Sequence, residues 1–237
     1  MLPLSVKMDV DMRHDRIKLC LSALAKVVMG IALVGALLFL PAGTLAYDGA
    51  WRLCIVLFAP MLVMGVVMFV FSPELLRRRL ASREERATQR GVVRYAGLLF
   101  VVSFVVAGLD FRYGWSAMPP WMTWCAVIIF LLGYALYGEV MRENVWLSRN
   151  ITVAEGQQVV TTGLYGIVRH PMYTSTIFMF LAMPLVLGSC WAMLSMILYI
   201  PVIIIRIKDE ERLLIADLAG YQEYCQKVRW RLLPYMW

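Results

Sequence analysis

Six long apolar stretches limit what this chain can fold into: residues 20–40, 50–71, 92–109, 121–140, 171–187 and 191–205. A bilayer core offers backbone N–H and C=O groups no water, so a chain crosses it as helices or as a closed barrel. Runs of this length without strand alternation read as helices, and about twenty residues suffice for one crossing. The last two runs are near the lower limit. Only Gly188, Ser189 and Cys190 separate them, which predicts a tight antiparallel hairpin. Pro184 and Pro201 lie inside these runs and are expected to bend them. Composition agrees: 61% of residues are hydrophobic and 16% charged, against about half and a quarter in soluble domains. The fold class expected is an all-α, polytopic integral membrane protein with about six transmembrane helices, a C-terminal helical hairpin and a polar tail.

The charges give the orientation. Of 23 lysines and arginines, 20 fall in residues 1–19, 73–94, 142–170 and the C-terminal tail. Arg52 and Arg112 flank the other side, and Lys26 lies within the first run. This asymmetry predicts six crossings with both termini in the cytoplasm. The net charge of +7 thus reads as topology, and no nucleic-acid partner is expected. The mixed charges that open the chain predict no removable signal peptide. Lys26 is expected to snorkel to the headgroups. Residues 73–94 hold seven arginines beside an apolar edge of Leu75, Leu76 and Leu80. They form either a helix lying on the inner membrane surface or a plain positive-inside loop. Glu139, with Tyr134 and Tyr137, either contributes to a cavity or caps the inner end of its span. Five scattered cysteines without a CxxC pair, and only His14 and His170, predict neither disulfides nor a metal site. No internal repeat supports a transporter of inverted halves.

One stretch is too rich in polar chemistry for a simple helix entry: Gly163-Leu164-Tyr165-Gly166-Ile167-Val168-Arg169-His170-Pro171-Met172-Tyr173. Proline suits the first position of a helix, so Pro171 starts the next one, with Arg169 and His170 at its mouth. Unpaired N–H groups there suit a carboxylate or another polar ligand group. The plainer reading is a loop anchored at the interface by tyrosine and arginine. Farther on, Arg206 and Glu210 are four apart and share a helix face where the last run leaves the membrane. Tyr221, Tyr224 and Val228 also follow helical spacing.

Together with the run Gln157-Gln158-Val159-Val160-Thr161-Thr162, the pair Glu210-Glu211 and the closing Leu233-Pro234, these motifs resemble the isoprenylcysteine carboxyl methyltransferase family. More loosely they resemble the related phospholipid methyltransferases. The resemblance covers residues 142–237 and implies a methyltransferase core there, with residues 1–141 as four further helices on the acceptor side. It implies S-adenosyl-L-methionine bound at the cytoplasmic membrane face without a Rossmann domain, and the chain contains no GxGxxG. The family's cofactor contacts fall on Gln157, Gln158, Val159, Val160, Tyr165, His170, Pro171, Met172, Tyr173 and Glu210. Its acceptor-binding, catalytic arginine falls on Arg206. The implied partner is a lipophilic small-molecule or lipid-modified acceptor drawn from the membrane lipid, and the implied reaction is methylation of a carboxylate. Phospholipid N-methylation and small-thiol S-methylation are alternatives. A non-enzymatic transporter or scaffold rests on hydropathy alone. For the topology, cysteines introduced near Asp48 and Arg112 are expected to react with an impermeant thiol reagent from outside. Labelling only from the cytoplasmic side refutes it.

Overall fold

The computed structural model describes residues 4–80, 87–147 and 153–237, with side chains described from residue 15 and not at 87–89. Arg83, Arg86, Glu84 and Glu85 of the basic segment lie outside the described residues, as do the side chains of most of the N-terminal tail. The helices are α1 (Leu4–Ala42), α2 (Asp48–Phe71), α3 (Pro73–Leu80), α4 (Ala87–Tyr113) and α5 (Pro120–Glu143). After a 3₁₀ turn at Gly163–Gly166 come α6 (Pro171–Leu187), α7 (Trp191–Ile197), α8 (Tyr199–Asp217) and α9 (Tyr221–Lys227). Five segments are long and apolar enough to cross a membrane: Asp15–Ala42, Asp48–Phe71, Arg90–Tyr113, Pro120–Glu143 and Trp191–Asp217. A further apolar helix, Pro171–Leu187, is shorter than these. All six apolar stretches are therefore helical, and the chain is a multi-pass integral membrane protein.

The C-terminal hairpin forms as expected, with α6 and α7 in contact across the turn at 188–190. Its two arms lie mainly along other helices, α6 against α5 and α7 against α4. The second arm is also broken, with α7 ending at Ile197 and α8 restarting at Tyr199. Pro201 explains the break, because it has no N–H to offer the carbonyl four residues back. Pro184 falls in the last turn of α6, and its carbonyl accepts the N–H of Ser189 (2.9 Å). From the break α8 runs unbroken to Asp217, which carries Arg206 and Glu210 out of the apolar region on one helix.

Residues 73–80 of the basic segment form a short helix docked on protein. Leu75 and Leu76 of α3 are buried, and Leu75 packs with Val140, Met141, Leu147 and Tyr165. The apolar edge read as membrane-facing thus meets the inner end of α5. Lys26 donates to the Leu80 carbonyl at the end of α3, Arg79 meets the Tyr137 hydroxyl, and the Arg78 guanidinium lies over Trp146 (5.4 Å). Glu139 pairs with Arg142 at an exposed site (2.5 Å).

The two ends of the bundle are chemically different. At one end, the buried Asp110 accepts from the Ser116 backbone N–H (2.7 Å), the Ser116 hydroxyl (2.6 Å) and the Ser189 hydroxyl. The Tyr47 hydroxyl donates to the Leu187 carbonyl (2.8 Å). These bonds tie the turns of three helix pairs together. Exposed Trp51, Trp115, Trp121, Trp124 and Trp191 ring this end, the usual place of an aromatic belt. Between the ends, Leu38, Leu53, Phe130, Val186 and Met196 form the dry core. The basic residues and the large cavity lie at the opposite end.

Without a hydrophobic drive between helices in lipid, close packing of small residues has to hold α5 to α6. Gly133 allows it. A Cβ there would sit 2.6 Å from Met179 Cγ and 3.2 Å from the Ser175 carbonyl oxygen. Gly133→Val is therefore expected to destabilise the bundle by about 1–3 kcal/mol, read as a lower thermal unfolding midpoint in detergent.

Candidate functional site

The cavity forms where α8 leaves the apolar region, opposite the connection between α5 and α6. Along α8, Arg206, Glu210, Leu214 and Leu218 recur at four-residue spacing and line one wall, polar at the bundle end and apolar beyond. Asn144, Trp146 and Leu147 follow α5, and Gln157 to Val160 complete the opposite wall. Tyr165, His170, Met172 and Tyr173 line it from the connection and the mouth of α6, and α9 adds Tyr221 and Tyr224. The open space is about 830 Å³, part of it continuous with solvent.

The connection is pinned by specific bonds. Gly163 has φ +52°, and a side chain there would collide with the Glu143 carboxylate, which accepts the Leu164 N–H (2.9 Å). This glycine satisfies both demands, left-handed backbone and close approach. Buried Tyr165 accepts from Asn144 Nδ2 (2.9 Å), while its carbonyl accepts from the Tyr224 hydroxyl (2.7 Å). Burial pushes the Tyr165 hydroxyl far above the ordinary tyrosine range, partly opposed by the Asn144 bond. Burial does the same to Tyr224, reinforced by Tyr165 beside it. Both phenols stay neutral and serve as fixed hydrogen-bonding groups.

The expected site residues gather here with one exception. Gln157, Gln158, Val159, Val160, Tyr165, His170, Met172, Tyr173, Arg206 and Glu210 all line the cavity. Pro171 does not. It is buried as the first residue of α6, where it starts the helix. Arg206 and Glu210 are joined through Tyr173, whose hydroxyl accepts from Arg206 Nε (2.9 Å) and donates to Glu210 Oε2 (2.5 Å). Gln157 folds back on its own turn, its Oε1 accepting the Ala154 N–H (2.9 Å). The helix mouth offers less than expected, because the N–H groups of Tyr173 and Thr174 both reach the His170 carbonyl (3.0 and 3.2 Å).

His170 turns from the mouth to a buried carboxylate that sequence reasoning had given no role. Glu211, 5% exposed, lies 3.2 Å from His170 Nε2, 3.0 Å from Arg169 Nη1 and 2.8 Å from Arg231 Nε. Backbone bonds run beside it, Arg169 N–H to the Trp230 carbonyl and His170 N–H to the Arg231 carbonyl (2.9 Å each). The available signal was helical phase: Glu210 follows Arg206 by four and shares its face, whereas Glu211 by five must point elsewhere.

Removing one partner of a buried charge group leaves the others uncompensated, at a cost of about 3–5 kcal/mol. Glu211→Gln is therefore expected to lower the thermal unfolding midpoint strongly and expose the C-terminal tail to protease. Glu139→Gln, at an exposed pair, is expected to leave the midpoint unchanged.

Parts of the chain are similar to known proteins. Residues 121–218 match the phospholipid methyltransferase family. Over 90 residues the chain is 32% identical to the Delta(14)-sterol reductase TM7SF2 of Mus musculus, a match that covers 37% of this chain and 22% of that protein. The chain thus spans about a fifth of the length of that curated relative. Its fold aligns with the eukaryotic intramembrane Ras methyltransferase ICMT (isoprenylcysteine carboxyl methyltransferase) at a TM-score of 0.46 and 12% identity, over 99% of this chain and 87% of that one. The family segment runs from α5 through α8 and includes the connection and the mouth of α6. The segment 121–218, which builds most of the cavity, is thus similar to the phospholipid methyltransferase family.

Proposed function

We propose that the chain is an S-adenosyl-L-methionine-dependent methyltransferase, with its cavity at the cytoplasmic face and a lipophilic acceptor that reaches it from the bilayer. One observation carries the reading: within the family segment, α8 leaves the apolar region with Arg206 and Glu210 facing a cavity walled by the 157–173 stretch. The residues present fit such a cofactor. Leu214, Leu218, Val159 and Trp146 suit the faces of a purine, while Glu210, Gln157 and Gln158 suit hydroxyl or ammonium groups. Two buried donors on the cavity's own residues, Arg169 Nε and the Tyr221 hydroxyl, have no protein partner. The cytoplasmic assignment rests on the basic residues gathered at this end.

The cofactor supplies a methyl group activated on a sulfonium. A carboxylate acceptor is ionised near neutral pH and needs no general base. It needs alignment. Arg206 can hold one carboxylate oxygen while the other points to the methyl group. Tyr173 fixes the side chains of Arg206 and Glu210 relative to each other, so acceptor and cofactor groups share one reference point. Transfer from a sulfonium to a carboxylate would cancel two opposite charges, so it would be favoured where a bound acceptor keeps water from the Arg206 and Tyr173 end of the cavity.

A second reading, methylation of a phospholipid amine, is favoured by the family match itself. An amine is mostly protonated and has to lose a proton first. The Tyr173 hydroxyl, 2.5 Å from Glu210, gives a route for it.

Calorimetry on the detergent-purified protein is expected to detect S-adenosyl-L-methionine binding. Labelled cofactor with lipid extracts should yield a base-labile methyl ester for a carboxylate acceptor and a base-stable product for an amine. Glu210→Gln is expected to raise the cofactor dissociation constant. Arg206→Ala should keep cofactor binding and abolish turnover, and Arg206→Lys should restore little, because a point charge does not replace the planar fork. Equal, mild effects of Glu210→Gln and Arg206→Ala would remove the case for a carboxylate.

A further inference from the structure

Among the described residues, two buried side-chain polar atoms have no hydrogen-bond partner, Arg169 Nε and the Tyr221 hydroxyl. Both residues line the same cavity. Buried polar groups are nearly always paired, and leaving one unpaired costs about 1–3 kcal/mol. Arg169 is held regardless, since its other nitrogens reach Glu211 (3.0 Å) and the Arg229 carbonyl (3.2 Å). Tyr221 has no such compensation. It is 4% exposed, and its hydroxyl is its side chain's one polar atom. Tyr224, three residues on, shows what a structural phenol does here: it donates to the Tyr165 carbonyl (2.7 Å).

The position of Tyr221 is built rather than incidental. Gly220, at φ +82°, reverses the chain after α8 in a conformation that favours glycine. The turn sets the Tyr221 ring among Leu218, Tyr224 and Val228, with Leu214 and Val159 against the cluster. This is the apolar half of the cavity wall. The polar half, at Arg206 and Glu210, is the end nearest the bilayer, from which a lipophilic acceptor comes.

We propose that the Tyr221 hydroxyl is a ligand-binding group of this cavity, hydrogen-bonded to the nucleoside half of the cofactor. The inference rests on the methyltransferase reading above. It assigns the amino-acid end of the cofactor to Glu210 and Tyr173, and the purine and ribose to the wall of Leu214, Leu218 and Tyr221. A purine presents apolar faces to Leu214 and Leu218, while its edge and the ribose carry the polar atoms that a lone phenol can meet. Burial, then the neighbouring Cys225, Glu211 and Glu210, push the Tyr221 hydroxyl far above the usual tyrosine range, so it stays a donor.

Tyr221→Phe removes the hydroxyl and leaves the packing. In the ligand-free protein it is expected to keep or raise the thermal unfolding midpoint, because an unpaired buried group is lost. Tyr224→Phe, which breaks a bond, should lower it. Binding is then measured with two probes, S-adenosylhomocysteine and 5′-methylthioadenosine, the second lacking the amino-acid end. Tyr221→Phe is expected to weaken both by a similar factor, about three- to tenfold. Unchanged affinity for both, with the wild type binding, overturns this inference alone. Weakening of S-adenosylhomocysteine only overturns the nucleoside assignment and moves the hydroxyl to the amino-acid end. Failure of the wild type to bind either probe overturns the cofactor reading and this inference with it.

Discussion

The carboxylate of Glu211 is the interaction on which the active end of the molecule depends. It is buried where the last span leaves the apolar region, and three cationic or ionisable side chains from two other segments converge on it: Arg169 and His170 before α6, and Arg231 in the tail. A charge in that position is tolerable only when its partners are complete. The connection, the helix exit and the tail therefore have to come together as one unit. The Thr174 hydroxyl adds a bond to the Leu232 carbonyl (2.7 Å), so the first turn of α6 is tied to the same tail. Glu210 and Glu211 are sequence neighbours with divided labour. One faces the cavity through Tyr173, and the other turns away to hold the walls in register.

The opposite end solves a different problem. There the Asp110 carboxylate is satisfied by two serines, and the Tyr47 hydroxyl by a helix-end carbonyl. Each bond closes a turn between two spans. The two ends thus separate the work: a sealed end that fixes helix positions, and an open end with a cavity. Between them, contacts such as Gly133 against Met179 and Ser175 let α5 lie close on α6, and this fixes where the mouth of α6 sits relative to the end of α5.

Much of this was legible in the sequence because the bilayer leaves a chain few choices. Six apolar runs must be helices, and all six are. The grouping of the 157–173 stretch with Arg206 and Glu210 was legible from motif order and from the four-residue spacing on α8. What was not legible depended on distant partners. Nothing local says that α6 also lies along α5 and α7 along α4. The edge of Leu75 and Leu76 looks the same whether it meets lipid or Leu147 and Tyr165. The role of Glu211 is set by residues 20 to 42 positions away, and only its helical phase hinted that it differs from Glu210. At the helix mouth the N–H groups of Tyr173 and Thr174 close on the His170 carbonyl, which the motif did not show.

The charge pattern of the cavity bears on which acceptor it can serve. Arg206 is linked through Tyr173 to Glu210, and Arg169 pairs with Glu211 at 3.0 Å. Each of these guanidinium groups on the wall thus has a carboxylate within reach, directly or through one hydroxyl. Under the methyltransferase reading, a sulfonium and a carboxylate add one charge of each sign and leave that balance intact. A sulfonium with a protonated amine adds two positive charges to the same space, and their repulsion grows as water is excluded. The amine would have to enter neutral or be deprotonated beside Tyr173 and Glu210. On the proposed reading a carboxylate acceptor would meet the lower electrostatic barrier to entry, while the similarity of residues 121–218 to the phospholipid methyltransferase family keeps the amine as its rival.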